Sequence, residues 1–219
     1  MPHKRRMYDR ADALSEEAGL IGAVNTVVQE NGVLTGYNTD GKGYMQAVRD
    51  AGYDIIGQKM TLLGAGGAAA SIISQAALDG VSKIDLFARK GNSWDSIREV
   101  ADRINSRTSC RISLYELQEE RQMRRSLESS RILVNASSVG MSPREEECLI
   151  PDKSFFHPEL IVSDVIYNPR KTKLLRMAEE AGCRVFNGMY MLLYQGACAF
   201  ELWTGKQMPT ELVKETYFR

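Results

Sequence analysis

Gly64, Gly66 and Ala69 form a G-x-G-x-x-A spacing inside residues 60–80, MTLLGAGGAAASIISQAALDG. An apolar run precedes them and a helix-like pattern follows, the context in which such a turn can hold a diphosphate. Gly64 permits the sharp turn, Gly66 lets the backbone approach a pyrophosphate, and Ala69 lets the helix sit close to its strand. Ala65, Gly67 and Ala68 keep the turn small. Free N–H groups at the helix start then face the phosphates, and the helix dipole favours their charge. The competing reading is a tight strand-to-helix turn with no ligand, but a larger side chain would serve a bare turn equally well. The next strand ends in Phe87-Ala88-Arg89-Lys90-Gly91-Asn92-Ser93, without the acid that NAD sites use to hold ribose hydroxyls. Arg89 and Lys90 suit a 2′-phosphate, Arg through a planar fork and Lys as a point charge. They are otherwise two solvated surface cations. The missing acid favours NADP over NAD.

Such a turn needs a parallel sheet around it. From residue 59 the pattern alternates strand and helix: strands over 60–63, 83–88, 111–115, 131–135 and 160–166, and helices over 67–79, 93–106, 119–129 and 172–181. Short apolar strands alternating with helices predict an α/β, Rossmann-like doubly wound parallel sheet. A short strand at 184–186 leads to a helix at 189–203, and a last helix follows Pro209 with Thr210 as its N-cap. Ahead of the sheet, residues 5–14 have the composition of a helix. Strands on either side of Asn31-Gly32 read as a hairpin, and 40–51 as a helix closing at Gly52.

The bulk properties exclude several classes of function. Lys plus Arg number 28 and Asp plus Glu number 28, so no basic excess points to nucleic acid or to a membrane surface. The apolar runs are too short to span a bilayer. The opening MPHKRRMYDR has no apolar h-region, so no secretory signal is visible. The four cysteines lie far apart at no metal-binding spacing, which implies reduced thiols, a cytoplasmic setting and no metal.

Three further segments are rich in residues that act on small polar molecules: MPHK (1–4), GAVNT…GYNTDGKG (22–43) and GMYMLLYQGACAF (188–200). Asn25, Thr39 and Gln195 are neutral hydrogen-bonding groups. Taken with NASSVGM (135–141) and YNPRKTKLL (167–175), these segments resemble the shikimate/quinate dehydrogenases along nearly the whole chain.

The resemblance implies oxidation of a ring hydroxyl of shikimate or quinate to a ketone with NADP or NAD, in aromatic amino acid biosynthesis or quinate metabolism. It places the catalytic pair on Lys4 and Asp40, an ammonium that would hold the oxygen and move its proton beside a carboxylate, and substrate contacts on Asn25, Thr39, Tyr167 and Gln195, whose neutral polar groups suit a polyhydroxylated ring. Ser137, Met141, Ile166, Gly188 and Met191 would join the cofactor wall. Family members carry a segment before Met-Pro-His-Lys with most of the substrate lobe's strands and two carboxylate-binding serines. Against that pattern, 1–39 plus 188–219 read as a remnant of the substrate-binding lobe and 40–187 as the NADP-binding domain. Leu192, Leu193, Ala197, Phe200, Leu202 and Trp203 would then lack partners, which implies a homodimer or other self-association. A truncated, impaired dinucleotide-binding protein and a Rossmann-type sensor are the alternatives. The joint presence of MPHK, NTDG and YNP disfavours the sensor.

Overall fold

The computed structural model describes residues 3–217. Met1 and Pro2 of the MPHK motif lie outside them. Strands β4 (Lys59–Leu63), β5 (Lys83–Ala88), β6 (Arg111–Glu116), β7 (Ile132–Asn135), β8 (Ile161–Asp164) and β9 (Arg184–Phe186) form one parallel sheet. Its order is β6-β5-β4-β7-β8-β9, with every pair parallel. This is the doubly wound dinucleotide-binding order, in which the direction of winding reverses between β4 and β7. Ahead of it, β1 (Ala13–Leu14), β3 (Val33–Tyr37) and β2 (Thr26–Glu30) make a small sheet in that order, with β1 parallel and β2 antiparallel to β3. Asn31 and Gly32 close the β2–β3 hairpin at φ of 51° and 83°, the left-handed values that Asn-Gly accommodates.

The central strands are apolar because both of their faces are covered. On one face, Leu62, Ile84, Leu86 and Ile132 pack with α4 (Gly67–Asp79) and α5 (Trp94–Arg107). On the other, Leu63, Phe87, Leu133 and Val162 pack with α6 (Glu120–Glu128) and α7 (Lys173–Glu180). The helix α3 (Asp40–Asp50) lies between α4 and α8 (Met189–Thr204) and packs on both. A Cβ on Gly41 would come within 2.3 Å of the Ser71 carbonyl oxygen on α4. One on Gly43 would come within 2.5 Å of the Gln195 nitrogen on α8. Glycine at both positions therefore lets the three helix backbones touch.

Three expectations change. The helix over 5–14 is interrupted: α1 covers His3–Tyr8, β1 follows, and α2 covers Glu16–Ile21. Past the end of α1, Asp12 binds Leu34 twice, its carboxylate accepting the Leu34 N–H at 2.8 Å and its N–H donating to the Leu34 carbonyl at 2.9 Å, which draws the chain into β1 beside β3. Ser15 then caps α2, accepting from the Ala18 N–H. The strand expected over 160–166 stops at Asp164, whose carboxylate takes the Ile166 N–H. The last helix, α9, starts on Thr210 itself and runs to Tyr217. Of the apolar residues expected to lack partners, Leu193 is buried. Leu192 and Trp203 are exposed, and the Trp203 indole donates to the Val27 carbonyl.

Candidate active site

The chain leaves β4 through Gly64, at φ 129°, where a Cβ would press within 2.8 Å of the Ala136 carbonyl oxygen. Only glycine fits there. Gly66 caps α4 with no side-chain hydrogen bond, and nothing lies within 4 Å of where a Cβ on Gly66 or Gly67 would sit. Ala69 is fully buried against the sheet. The first N–H groups of α4 therefore open onto a cleft of about 1180 Å³. Gly64 to Ala68, Phe87 to Ser93, Ala136 to Val139, Met141, and Val165 to Asn168 line it. These are the ends of β4, β5, β7 and β8, so the cleft lies at the point of reversal, where open α/β sheets take their ligands.

The two cations after β5 differ. Lys90 is paired with Glu116 and lies 6.0 Å from the Trp94 ring centroid. Arg89 is exposed on the cleft wall and, among the described residues, has no carboxylate partner. The 2′-phosphate role expected of both rests better on Arg89, because Lys90 already has a counter-charge on the neighbouring strand.

The second half of the site is built by α1, β2 and the start of α3. The Val24 N–H donates to the Lys4 carbonyl at 3.0 Å, which ties α1 to the segment carrying Asn25. Lys4 Nζ donates to Asp40 Oδ2 at 2.6 Å, and Asn25 Nδ2 donates to Asp40 Oδ1 at 2.8 Å. Asp40 is the first residue of α3, where the helix dipole favours its charge. Asn25 is itself fixed: its Oδ1 accepts from the Thr39 N–H at 3.0 Å and from the Thr26 hydroxyl at 2.9 Å. Thr39, expected to touch substrate, is 1% exposed, with its hydroxyl at 3.1 Å from Asn25 Nδ2. That burial suits it to holding Asn25 and Asp40 rather than to reaching a ligand.

Lys4 and Asp40 line a second cleft, and Ala65, Gly66, Gly67 and Ala68 line both clefts. The glycine turn is thus the shared wall between the dinucleotide cleft and the ammonium–carboxylate pair. Tyr167 and Met141, about half exposed, line the first cleft, as do Ser137 and the buried Ile166. Gln195, Met191 and Gly188 line neither. Gln195 Nε2 donates to the Leu192 carbonyl of its own helix, and Met191 packs against the core. A Cβ on Gly188 would fall 1.9 Å from the Val165 carbonyl oxygen, so glycine there lets α8 begin against the loop after β8.

Sequence reasoning missed Asn38. It is 1% exposed; its Nδ2 donates to the Ala23 carbonyl, and its Oδ1 accepts from the Asp40 N–H at 3.2 Å and the Ser71 hydroxyl at 3.2 Å. It links the loop before α3 to α4, and its place in NTDG was the available signal. Among the described residues, no group of three His, Cys, Asp or Glu could hold a metal ion. No helix among them is long and apolar enough to cross a membrane.

Residues 188–216 match the Shikimate 5'-dehydrogenase C-terminal domain family. A shikimate dehydrogenase (NADP(+)) of Listeria monocytogenes is 51% identical over 218 residues, spanning all of this chain and 75% of that protein. The solved shikimate 5-dehydrogenase of Listeria monocytogenes, in complex with shikimate and NAD, superposes with a TM-score of 0.96 at 51% identity, covering 98% of this chain and 74% of that one. A quinate dehydrogenase from Corynebacterium glutamicum, in complex with NAD, gives a TM-score of 0.86 at 28% identity, covering 99% of this chain and 75% of that one. The sheet order, the glycine turn at the reversal point and the adjoining ammonium–carboxylate pair define a Rossmann-type dinucleotide-dependent oxidoreductase. Within that class, the chain belongs to the shikimate dehydrogenase family.

Proposed function

We propose that the protein interconverts shikimate and 3-dehydroshikimate with NADP. One observation carries the reading: the glycine turn that suits a pyrophosphate is also a wall of the cleft holding Lys4 and Asp40. The residues present fit a dinucleotide. Open space stands over Gly66 and Gly67, the first N–H groups of α4 face it, and the Arg89 guanidinium at the end of β5 has no carboxylate partner among the described residues. The nicotinamide, when bound, supplies the hydride acceptor or donor.

The chain's own residues handle the proton. In the reducing direction, Lys4 Nζ donates a proton to the carbonyl oxygen as negative charge develops there, and the ketone becomes the alcohol. In the oxidising direction the same nitrogen takes the hydroxyl proton. Asp40 holds Nζ in place and balances its charge, while Asn25, Thr39 and Asn38 hold Asp40. Tyr167 faces the substrate side from the wall of the dinucleotide cleft. Residues 1–39 with 188–219 form the substrate-facing part, and 40–187 form the cofactor domain.

The direct test is a spectrophotometric assay with shikimate and with quinate, each against NADP and NAD. Turnover fastest with shikimate and NADP is expected. Measurable NADP binding with no turnover of either substrate would overturn the proposal. Replacing Arg89 with alanine is expected to weaken NADP by about tenfold or more and leave NAD nearly unchanged, since one charge-assisted fork to the 2′-phosphate is lost. Equal losses for both cofactors in titration calorimetry would reject the 2′-phosphate contact.

A further inference from the structure

Two walls of the dinucleotide cleft are irregular backbone: 136–142 after β7 and 165–169 after β8. Each is tied down by the last residue of its strand. Asn135 Oδ1 accepts from the Ser137 N–H at 3.1 Å and from the Ser137 hydroxyl at 2.7 Å, and its Nδ2 lies 3.2 Å from the Val139 carbonyl oxygen. Asp164 Oδ1 accepts from the Ile166 N–H at 3.0 Å, and its Oδ2 accepts from the Thr172 hydroxyl at 2.8 Å. The register places Asn135 opposite Asp164, and Asn135 Nδ2 donates to Asp164 Oδ1 at 3.1 Å. Asn135, Asp164 and Thr172 are buried. One cluster therefore joins both loops to each other and to the start of α7.

We propose that Asp164 is a positioning residue of the reaction: through Asn135 and Thr172 it sets the wall formed by Ser137, Met141, Ile166 and Tyr167, against which the nicotinamide half rests. The inference rests on the reading that the cleft holds NADP. Arg89, after β5, takes the adenosine half on the opposite side of the reversal point. The remaining half of the molecule then lies over the loops after β7 and β8.

A buried carboxylate is a costly way to fill space, and burial pushes the Asp164 pKa up to about 6. Its charge is felt by Tyr44 of α3 and by Cys148. Both are neutral acids pushed up in their turn by burial, so neither compensates it. Lys173, at the start of α7, is the cation acting on Cys148 beside it. What the carboxylate provides is a set of acceptors at fixed angles, which orders two loops at once.

The test compares NADPH with adenosine 2′,5′-bisphosphate, which carries the adenosine half alone. Titration calorimetry on the unsubstituted protein, Asp164→Ala and Asp164→Asn reads both affinities, and hydrogen exchange reads 136–142 and 165–169. Asp164→Ala is expected to weaken NADPH by about tenfold, to leave the bisphosphate nearly unchanged, and to speed exchange in both loops. Asp164→Asn keeps a carbonyl acceptor for Asn135 and Ile166, and is expected to restore NADPH to within about threefold of the unsubstituted protein. If Asp164→Ala does not fold, Thr172→Val makes the same comparison. Equal weakening of both ligands, no weakening of NADPH, or failure of Asp164→Asn to restore it would overturn the proposal. If the unsubstituted protein bound neither ligand, the cofactor reading itself would fall and take the proposal with it, even with the exchange difference intact.

Discussion

Lys4→Ala is expected to lower kcat by about 10²- to 10⁴-fold, the usual worth of a positioned proton-transfer group. Affinity for NADPH should hold within about twofold, because Lys4 lines the second cleft and not the one after β4. Stability should change little. The Lys4 and Asp40 side chains are 31% and 17% exposed, and partly exposed ion pairs contribute little to folding. Asp40 also keeps Asn25 Nδ2 as a donor when the ammonium is gone. Lys4→Arg tests geometry: it preserves the charge, but a planar guanidinium neither fits a point contact nor gives up a proton readily. It should recover little of the lost turnover. Steady-state kinetics with both substrates, beside NADPH titration and thermal melting, separates these effects. Turnover within a few-fold of the unsubstituted protein would remove Lys4 from the chemistry. Loss of NADPH affinity in step with kcat would make it a structural residue.

What the residues disclosed, and what they hid, follows from the range of the forces involved. The turn from β4 into α4 was legible because its causes are local: an apolar strand, a glycine at positive φ, small residues and an apolar helix, all within one contiguous stretch. The Asn31-Gly32 hairpin was legible for the same reason. The extended turn at Asp12 into β1 was not, because its partner Leu34 lies far along the chain. Nor did the sequence show that Lys90 is already paired. Glu116 meets it only once β5 and β6 lie side by side, in a register that sets Ala88 against Glu116. Asp164 reads as an acid ending an apolar run, and its junction with Asn135 needs the order of β7 and β8. Lys4 taken singly looks like an ordinary surface cation. The family resemblance singled it out, and the geometry places its ammonium on Asp40. Gln195 was singled out in the same way, yet its side chain lies along its own helix here.

Gly66→Val tests the premise beneath all of this, and its effect on binding should be the largest of any single change in the cofactor cleft. Gly66 sits at φ −84° and ψ −175°, a conformation open to any residue, and a Cβ there meets nothing within 4 Å. The apo fold should therefore accept valine with a stability change within about 0.5 kcal/mol, the usual range for a surface change that meets no neighbour. Gly64, two residues earlier, gives the contrast. It has φ 129° and a neighbouring carbonyl 2.8 Å from its Cβ position, so substitution there should damage the fold itself. At Gly66 the isopropyl group would instead occupy the space that a pyrophosphate needs and screen the N–H groups at the head of α4. Losing about 3 kcal/mol of charge-assisted hydrogen bonding weakens a ligand by roughly a hundredfold or more. NADP and NAD should suffer alike, since both present the same pyrophosphate, whereas Arg89→Ala should separate them. An unchanged melting temperature with dinucleotide affinity lost is the expected pair of results. Unaltered affinity would mean that the phosphates lie elsewhere, and would leave Lys4 and Asp40 with no hydride partner at this wall.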